Sequence, residues 1–402
     1  MQNSDNLRPL VIQRGLLRLA SFAFLIVIFM TGLAGALRVS ALSVFLHNEV
    51  TSDPFMIGIF YSVNSLMAMV LSQIVAHYSD LYTNRKWIVT LSCVMQLSGC
   101  LLFAFNRDYY TLLIVGTLII GLGSSATSQV FALSREYTES KQKDGTMFNT
   151  ILRAQLSLAW IIGPPVAYYL SGNFGFTFMY IVAALIFAVS ILIVVLMLPS
   201  SVQRHVKPRE TDETLRENGI ESNRKSTTFL ALACLLMWTC NSMMFINLPL
   251  HLKQNLHLSE QVAGVMMSTA AAIEIPVMLL AGYCTRFISK KMLLIIAILA
   301  GICYYIGLSM AQTESQLLAL QVFNGLFIGI LASIGMLYFQ DLMPYKMGSA
   351  TTLFNNTSGA SWVIAGPVAG MAASYFGYQS TWYLSLILCI VSFLMMIPVR
   401  KL

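Results

Sequence analysis

Apolar residues in this chain come in long unbroken runs, and polar residues collect in the gaps between them. About 20 mostly apolar residues let an α-helix cross the hydrocarbon core of a bilayer. Twelve runs meet that requirement, at 17–46, 54–77, 87–105, 111–133, 147–170, 174–198, 228–250, 261–284, 292–311, 316–338, 349–373 and 380–398. The gaps are short apart from 199–227, a polar stretch carrying Arg204, Lys207, Arg209, Arg216, Arg224 and Lys225. The pattern predicts an all-α integral membrane protein of 12 transmembrane helices. It groups them into two pseudo-symmetric six-helix bundles, 1–198 and 228–402, joined by a cytoplasmic central loop, 199–227. The run from Leu19 to Leu37 exceeds the roughly 7–15 apolar residues of a signal peptide, so it reads as a retained first span.

Composition agrees with this reading. Of 402 residues, 57% are hydrophobic and 10% charged, against about 25% charged in soluble domains. That few charges cannot wet the surface of a soluble protein of this length. The formal charge of +7 does not point to nucleic acid, because the bases lie in short gaps and form no continuous patch. Their placement fixes an orientation instead. With the N-terminus inside, twenty of the 24 Lys and Arg fall in inner segments. Arg107 and Lys253 fall outside, and Arg38 and Arg153 lie within spans. Both termini are therefore expected in the cytoplasm. The seven cysteines lie in apolar segments and the five histidines are scattered, so no metal site is expected. Nor is there a GxxxxGK[ST] loop for ATP or a nucleophile–base cluster for an intramembrane enzyme.

The two halves echo each other. Gly145 precedes Gly163-Pro164 as Gly348 precedes Gly366-Pro367. Phe174-Gly175-Phe176 follows the first Gly-Pro, and Phe376-Gly377-Tyr378 follows the second. Arg85-Lys86 after the second span corresponds to Lys290-Lys291 after the eighth. Such a parallel repeat places a substrate site near the bilayer midplane, where the halves meet.

Two six-span halves, a basic central loop and Ala76-x3-Asp80-x4-Arg85-Lys86 resemble the major facilitator superfamily. Ala76, Leu81 and Thr83 stand where its loop motif has Gly, Arg and Gly. Longer stretches resemble the bacterial sugar efflux transporter family: 133–137, 153–165, 237–241, 274–276 and 339–344. Arg38 stands where a neutral polar residue such as Gln is expected in that family. The resemblance implies secondary active export of sugars or glycosides from the cytoplasm through a bacterial inner membrane. It implies alternating access with proton antiport, no cofactor, and a monomer surrounded by lipid. A multidrug or other small-molecule exporter, or a proton-coupled uptake system, is the alternative on the same fold.

Within the spans, Glu274 is the most informative residue. A carboxylate in apolar surroundings costs several kcal/mol unless it is paired, wet or protonated. It reads as the proton-coupling acid, as the structural half of an ion pair, or as a substrate contact only. Arg153 is the candidate partner, since the resembled superfamily places spans 5 and 8 side by side. Arg38 reads as an interfacial anchor or as a substrate contact. Sugars need amides for their hydroxyls and an aromatic face for their C–H surface. Candidates are Trp238, Asn241 and Asn324 first, then Tyr61, Asn64, Gln129, Gln155, Asn247, Gln321, Asn355 and Trp362. Interhelical hydrogen bonding is the bland alternative for each. Asp80, Arg85, Lys86, Arg135, Glu136 and Asp341 lie at inner span ends and resemble a gating charge network, with interfacial anchoring as the alternative.

Overall fold

The computed structural model describes residues 7–81, 84–140, 145–199, 224–344 and 347–400. Side chains at 7–18, 80, 81, 139, 140, 145–147 and 347 are not among those described. Most of the central loop and the side chain of Asp80 therefore lie outside the described residues.

Every regular element among the described residues is helical. In chain order they are α1 (Leu7–Ser40), α2 (Pro54–Leu81), α3 (Arg85–Phe105), α4 (Tyr109–Thr138), α5 (145–174), α6 (176–197), α7 (Arg224–Gln254), α8 (Gln261–Cys284), α9 (Lys290–Met310), α10 (Glu314–Leu342), α11 (Met347–Phe376) and α12 (Ser380–Met396). Nine runs among the described residues are long and apolar enough to cross a bilayer. One of them, Phe148–Met197, holds both α5 and α6. The shorter α12 and the Asn- and Ser-bearing α11 complete the twelve.

The first span ends earlier than its hydropathy suggests. Helix α1 stops at Ser40, and a single α-turn and a π-helical turn, Leu46–Val50, lead to α2. Helix α2 opens on Asp53-Pro54, with Asp53 Oδ1 accepting from the Phe55 amide at 2.9 Å. Proline at the first helical position forfeits a hydrogen bond that the helix end lacks in any case.

Helices α5 and α6 part at Gly175, where φ is +83°, and α11 ends before Gly377, where φ is +78°. No other described glycine has positive φ. A left-handed residue ends a helix with little strain only when it lacks a Cβ. The repeated Phe-Gly-aromatic triplet is therefore a repeated helix stop.

The described chain forms two compact units. One contains α1 as far as Val39, α2 from Met67, and α3 to α6; the other contains 40–66 and α7 to α12. In the first unit Phe24, Val27, Val89, Cys93, Val130, Leu133, Leu152 and Val194 form a buried core. A Cβ built on Gly163 would lie 2.4 Å from the Ala36 Cβ, so α5 approaches α1 where only small residues fit. In the second unit, Asn247 on α7 donates to the Ala369 carbonyl at 3.1 Å and to Thr381 Oγ1 at 2.8 Å. Ser242 and Ser361 meet at 3.1 Å between their hydroxyls. These bonds tie α7 to α11 and α12.

The repeat is visible in its ion pairs as well. Arg85 Nε lies 2.7 Å from Glu136 Oε1 in the first unit, and Lys290 pairs with Asp341 in the second. Lys86 Nζ donates to the carbonyls of Val195 and Leu198, both at 2.8 Å. Lys291 Nζ donates to those of Ile397 and Val399, at 2.8 and 2.7 Å. In each unit the first basic residue joins its helix to the end of the fourth. The second caps the last helix, where unpaired carbonyls and the helix dipole favour a cation.

Candidate functional site

The candidate side chains fall into three groups. The first lies in the second unit on α2, α7 and α11. Tyr61 on α2 stacks on Trp362 of α11, with ring centroids 5.9 Å apart and planes 16° from parallel. Phe245 of α7 meets the same Trp362 edge-on at 5.6 Å. On α7, Trp238, Asn241 and Phe245 are spaced three and four apart, which places them along one helix face. Trp238 packs edge-on against Phe354 at 6.3 Å, and Phe354 packs on Phe339 of α10 at 6.0 Å. The aromatic rings thus line α2, α7, α10 and α11 together. Phe245 and Phe354 were not singled out in the sequence. The periodicity running on from Trp238 is the signal that marks Phe245.

Several polar atoms in this group have no protein partner. Trp238 Nε1 and Asn64 Oδ1 are buried and unbonded, as is Asn324 Oδ1 outside this group, on α10. Asn324 uses its amide nitrogen on Gln321 Oε1 at 3.1 Å, and Gln321 in turn donates to the Leu317 carbonyl at 2.9 Å. A buried polar atom left unmatched costs about 1–3 kcal/mol. Unbonded buried polar atoms are what a polyhydroxylated ligand can satisfy. Asn247 differs, because both its amide protons are already engaged with Ala369 and Thr381.

Glu274 forms the second group. It is half-buried on α8, where Pro276 removes the hydrogen bond that would return to Ala272. A Cβ on Gly329 of α10 would lie 3.1 Å from the Glu274 carbonyl, so α10 presses on the α8 backbone at this point. Within its own unit, Glu274 has no ion-pair or hydrogen-bond partner among the described residues. Arg153 belongs to the first unit, on α5. It is exposed, with its guanidinium carbon 5.5 Å from the centroid of Phe131.

The third group is the charge network. Arg85 bonds Glu136, Ser79 Oγ at 3.2 Å and Gln129 Oε1 at 3.0 Å. Gln129, a substrate candidate from sequence, is thus buried beside this guanidinium. Arg135 is exposed on α4, and Arg38 is buried near the end of α1. Gln155 and Asn241 are half-buried, and Asn355 is exposed.

Comparison with known proteins identifies the scaffold. The family profile described as Major Facilitator Superfamily matches residues 24–284 and 230–401. Sugar efflux transporter A of Dickeya chrysanthemi is 48% identical, over 90% of this chain and 91% of its own. Sugar efflux transporter C of Escherichia coli is 44% identical, over 92% and 93%. The crystal structure of the nucleoside transporter NupG superposes with a TM-score of 0.78 at 16% identity, covering 94% of this chain and 97% of its own. At that identity the superposition speaks for the fold alone. The chain is a multi-pass membrane protein that belongs to the Major Facilitator Superfamily and, within it, to the sugar efflux transporters.

Proposed function

We propose that this protein exports sugars or glycosides from the cytoplasm in exchange for protons, by alternating access of two six-helix halves. The cytoplasmic face carries both termini and the basic central loop, and the membrane is a bacterial inner membrane. The substrate class follows the relatives named as sugar efflux transporters. The observation that carries the reading within this chain is the stacked Tyr61–Trp362 pair, together with unbonded polar atoms on Asn64, one helical turn from Tyr61, and on Trp238. An aromatic face covers a sugar's C–H surface while amide and indole groups meet its hydroxyls. Glu274 carries the exchanged proton, with Arg153 as the charge that answers it in one state of the cycle. An ionisable side chain inside a membrane span, without a partner in its own unit, suits that task.

Radiolabelled sugar counterflow in proteoliposomes, with and without a pH gradient, tests the proposal. Sugars that compete with one another but not with apolar dyes support it. Dye transport that no sugar inhibits would replace it with multidrug export. Trp238→Ala and Asn324→Ala are each expected to raise the KM for sugar by about tenfold, the scale of one lost stacking or hydrogen-bond contact. Asn247→Ala is expected to lower the amount of folded protein and leave KM alone, because its bonds hold α7 to α11 and α12.

A further inference from the structure

A cavity lies in the second unit, at the end away from the Lys290–Asp341 pair. It measures about 490 Å³, and its polar lining includes His47, Asp53, Gln254, Asn255, Ser374 and Tyr378. Its volume falls in the range of small-molecule sites, roughly 300–1,000 Å³. The walls come from the turn before α2, the end of α7 and the end of α11.

Three polar atoms at this cavity are unengaged. His47 Nε2 meets Gln254 Nε2 at 2.8 Å, and His47 Nδ1 is buried without a partner. The Tyr378 hydroxyl is likewise buried and unbonded. Asp53 Oδ1 accepts from the Phe55 amide and, at 3.4 Å, from Ser374 Oγ, which leaves Oδ2 without a hydrogen-bond partner among the described residues. Burial, then the neighbouring Lys253, hold the His47 pKa below its usual value, so the ring is neutral near pH 7. Because the Gln254 amide nitrogen donates to Nε2, the proton of the neutral ring sits on Nδ1, which faces the cavity as a donor. Burial and Asp53 push the Tyr378 hydroxyl up to about 12, so it stays a donor.

Neutral donors and acceptors are interleaved here around a single carboxylate oxygen. That arrangement suits adjacent hydroxyls on a sugar ring, which give and take hydrogen bonds together. It does not suit an anion, which would face Asp53. We infer that this cavity is a second carbohydrate site, distinct from the Tyr61, Trp238 and Trp362 aromatic group, that holds a mono- or disaccharide at this end of the second unit. The inference rests on the sugar reading above and adds a place where the cargo pauses.

Equilibrium binding of radiolabelled methyl β-D-glucopyranoside to the purified full-length protein tests it. The wild-type isotherm is expected to resolve two sites. Ser374→Ala/Tyr378→Phe weakens one of them by about tenfold, as two lost hydrogen bonds would, and spares the other. Trp238→Ala has the reverse effect. Asp53→Asn, which keeps the size of the side chain, weakens the same site as the double variant. A one-site isotherm abolished by Trp238→Ala would overturn the second site and leave sugar export standing. So would Ser374→Ala/Tyr378→Phe protein that binds as wild type does. Wild-type protein that binds no glucoside or disaccharide at all would remove both readings.

Discussion

A Glu274→Gln protein is expected to exchange labelled sugar across a membrane yet build no sugar gradient from a pH difference. Each pH unit across the bilayer supplies about 1.4 kcal/mol per proton. One-for-one exchange then supports about a tenfold sugar ratio for each unit imposed. Glutamine keeps the shape and hydrogen-bonding reach of the side chain but carries no exchangeable charge, so the ratio falls to about one. Counterflow, which needs no net proton movement, continues. The measurement is sugar accumulation in proteoliposomes under an imposed pH step, beside counterflow without one. An accumulating Gln variant would take the proton away from Glu274. A variant lost from the membrane, together with full activity in Glu274→Asp, would mark the residue as a structural charge.

The parts of this molecule that were legible in its sequence are those set by local chemistry. Run length gave the spans, because the bilayer admits few other solutions. The Phe-Gly-aromatic triplets marked helix stops at Gly175 and Gly377, since positive φ selects glycine. The paired Arg85-Lys86 and Lys290-Lys291 signalled a repeat, and each pair proves to join and cap the same elements of its own unit. Less legible was which helix a given face would meet. Gln129 sits in a span, where an amide reads equally well as a sugar ligand or as a structural bond. Its proximity to Arg85 depends on how α3 packs on α4, and no periodicity encodes that. Phe354 escaped notice for the same reason, as a phenylalanine among many until α7 brings Trp238 against it. Hydropathy also drew the first span past Ser40, because the apolar residues that follow form a separate buried turn, Leu42–Phe45, before the Leu46–Val50 turn.

The crossing of α2 and α11 makes a second prediction of comparable size. Gly58 and Gly366 face each other so closely that a Cβ on either would lie 2.1 Å from the other's carbonyl oxygen. Gly370 comes as near to Pro54, where a Cβ would stand 2.7 Å from its carbonyl oxygen. Ser62 Oγ completes the seam with a 2.7 Å bond to the Val363 carbonyl. The atoms in the way are backbone, which cannot swing aside as a side chain does. Gly366→Val must therefore push the two helices apart, and overpacking of this kind costs about 1–3 kcal/mol. If the seam belongs to one state of the transport cycle, that cost lowers the state's population by about 5–150-fold. Accumulation and counterflow should then fall together, because both require the loaded protein to pass between its two open states, whereas Glu274→Gln separates them. Gly282→Ala is the control, since a Cβ at Gly282 on α8 meets nothing within 4 Å and alanine favours a helix. Sugar binding by the purified Gly366→Val protein distinguishes a stalled cycle from a misfolded chain: a stalled protein still binds. Wild-type counterflow in that variant would mean that α2 and α11 separate freely and that their close approach does not gate the path.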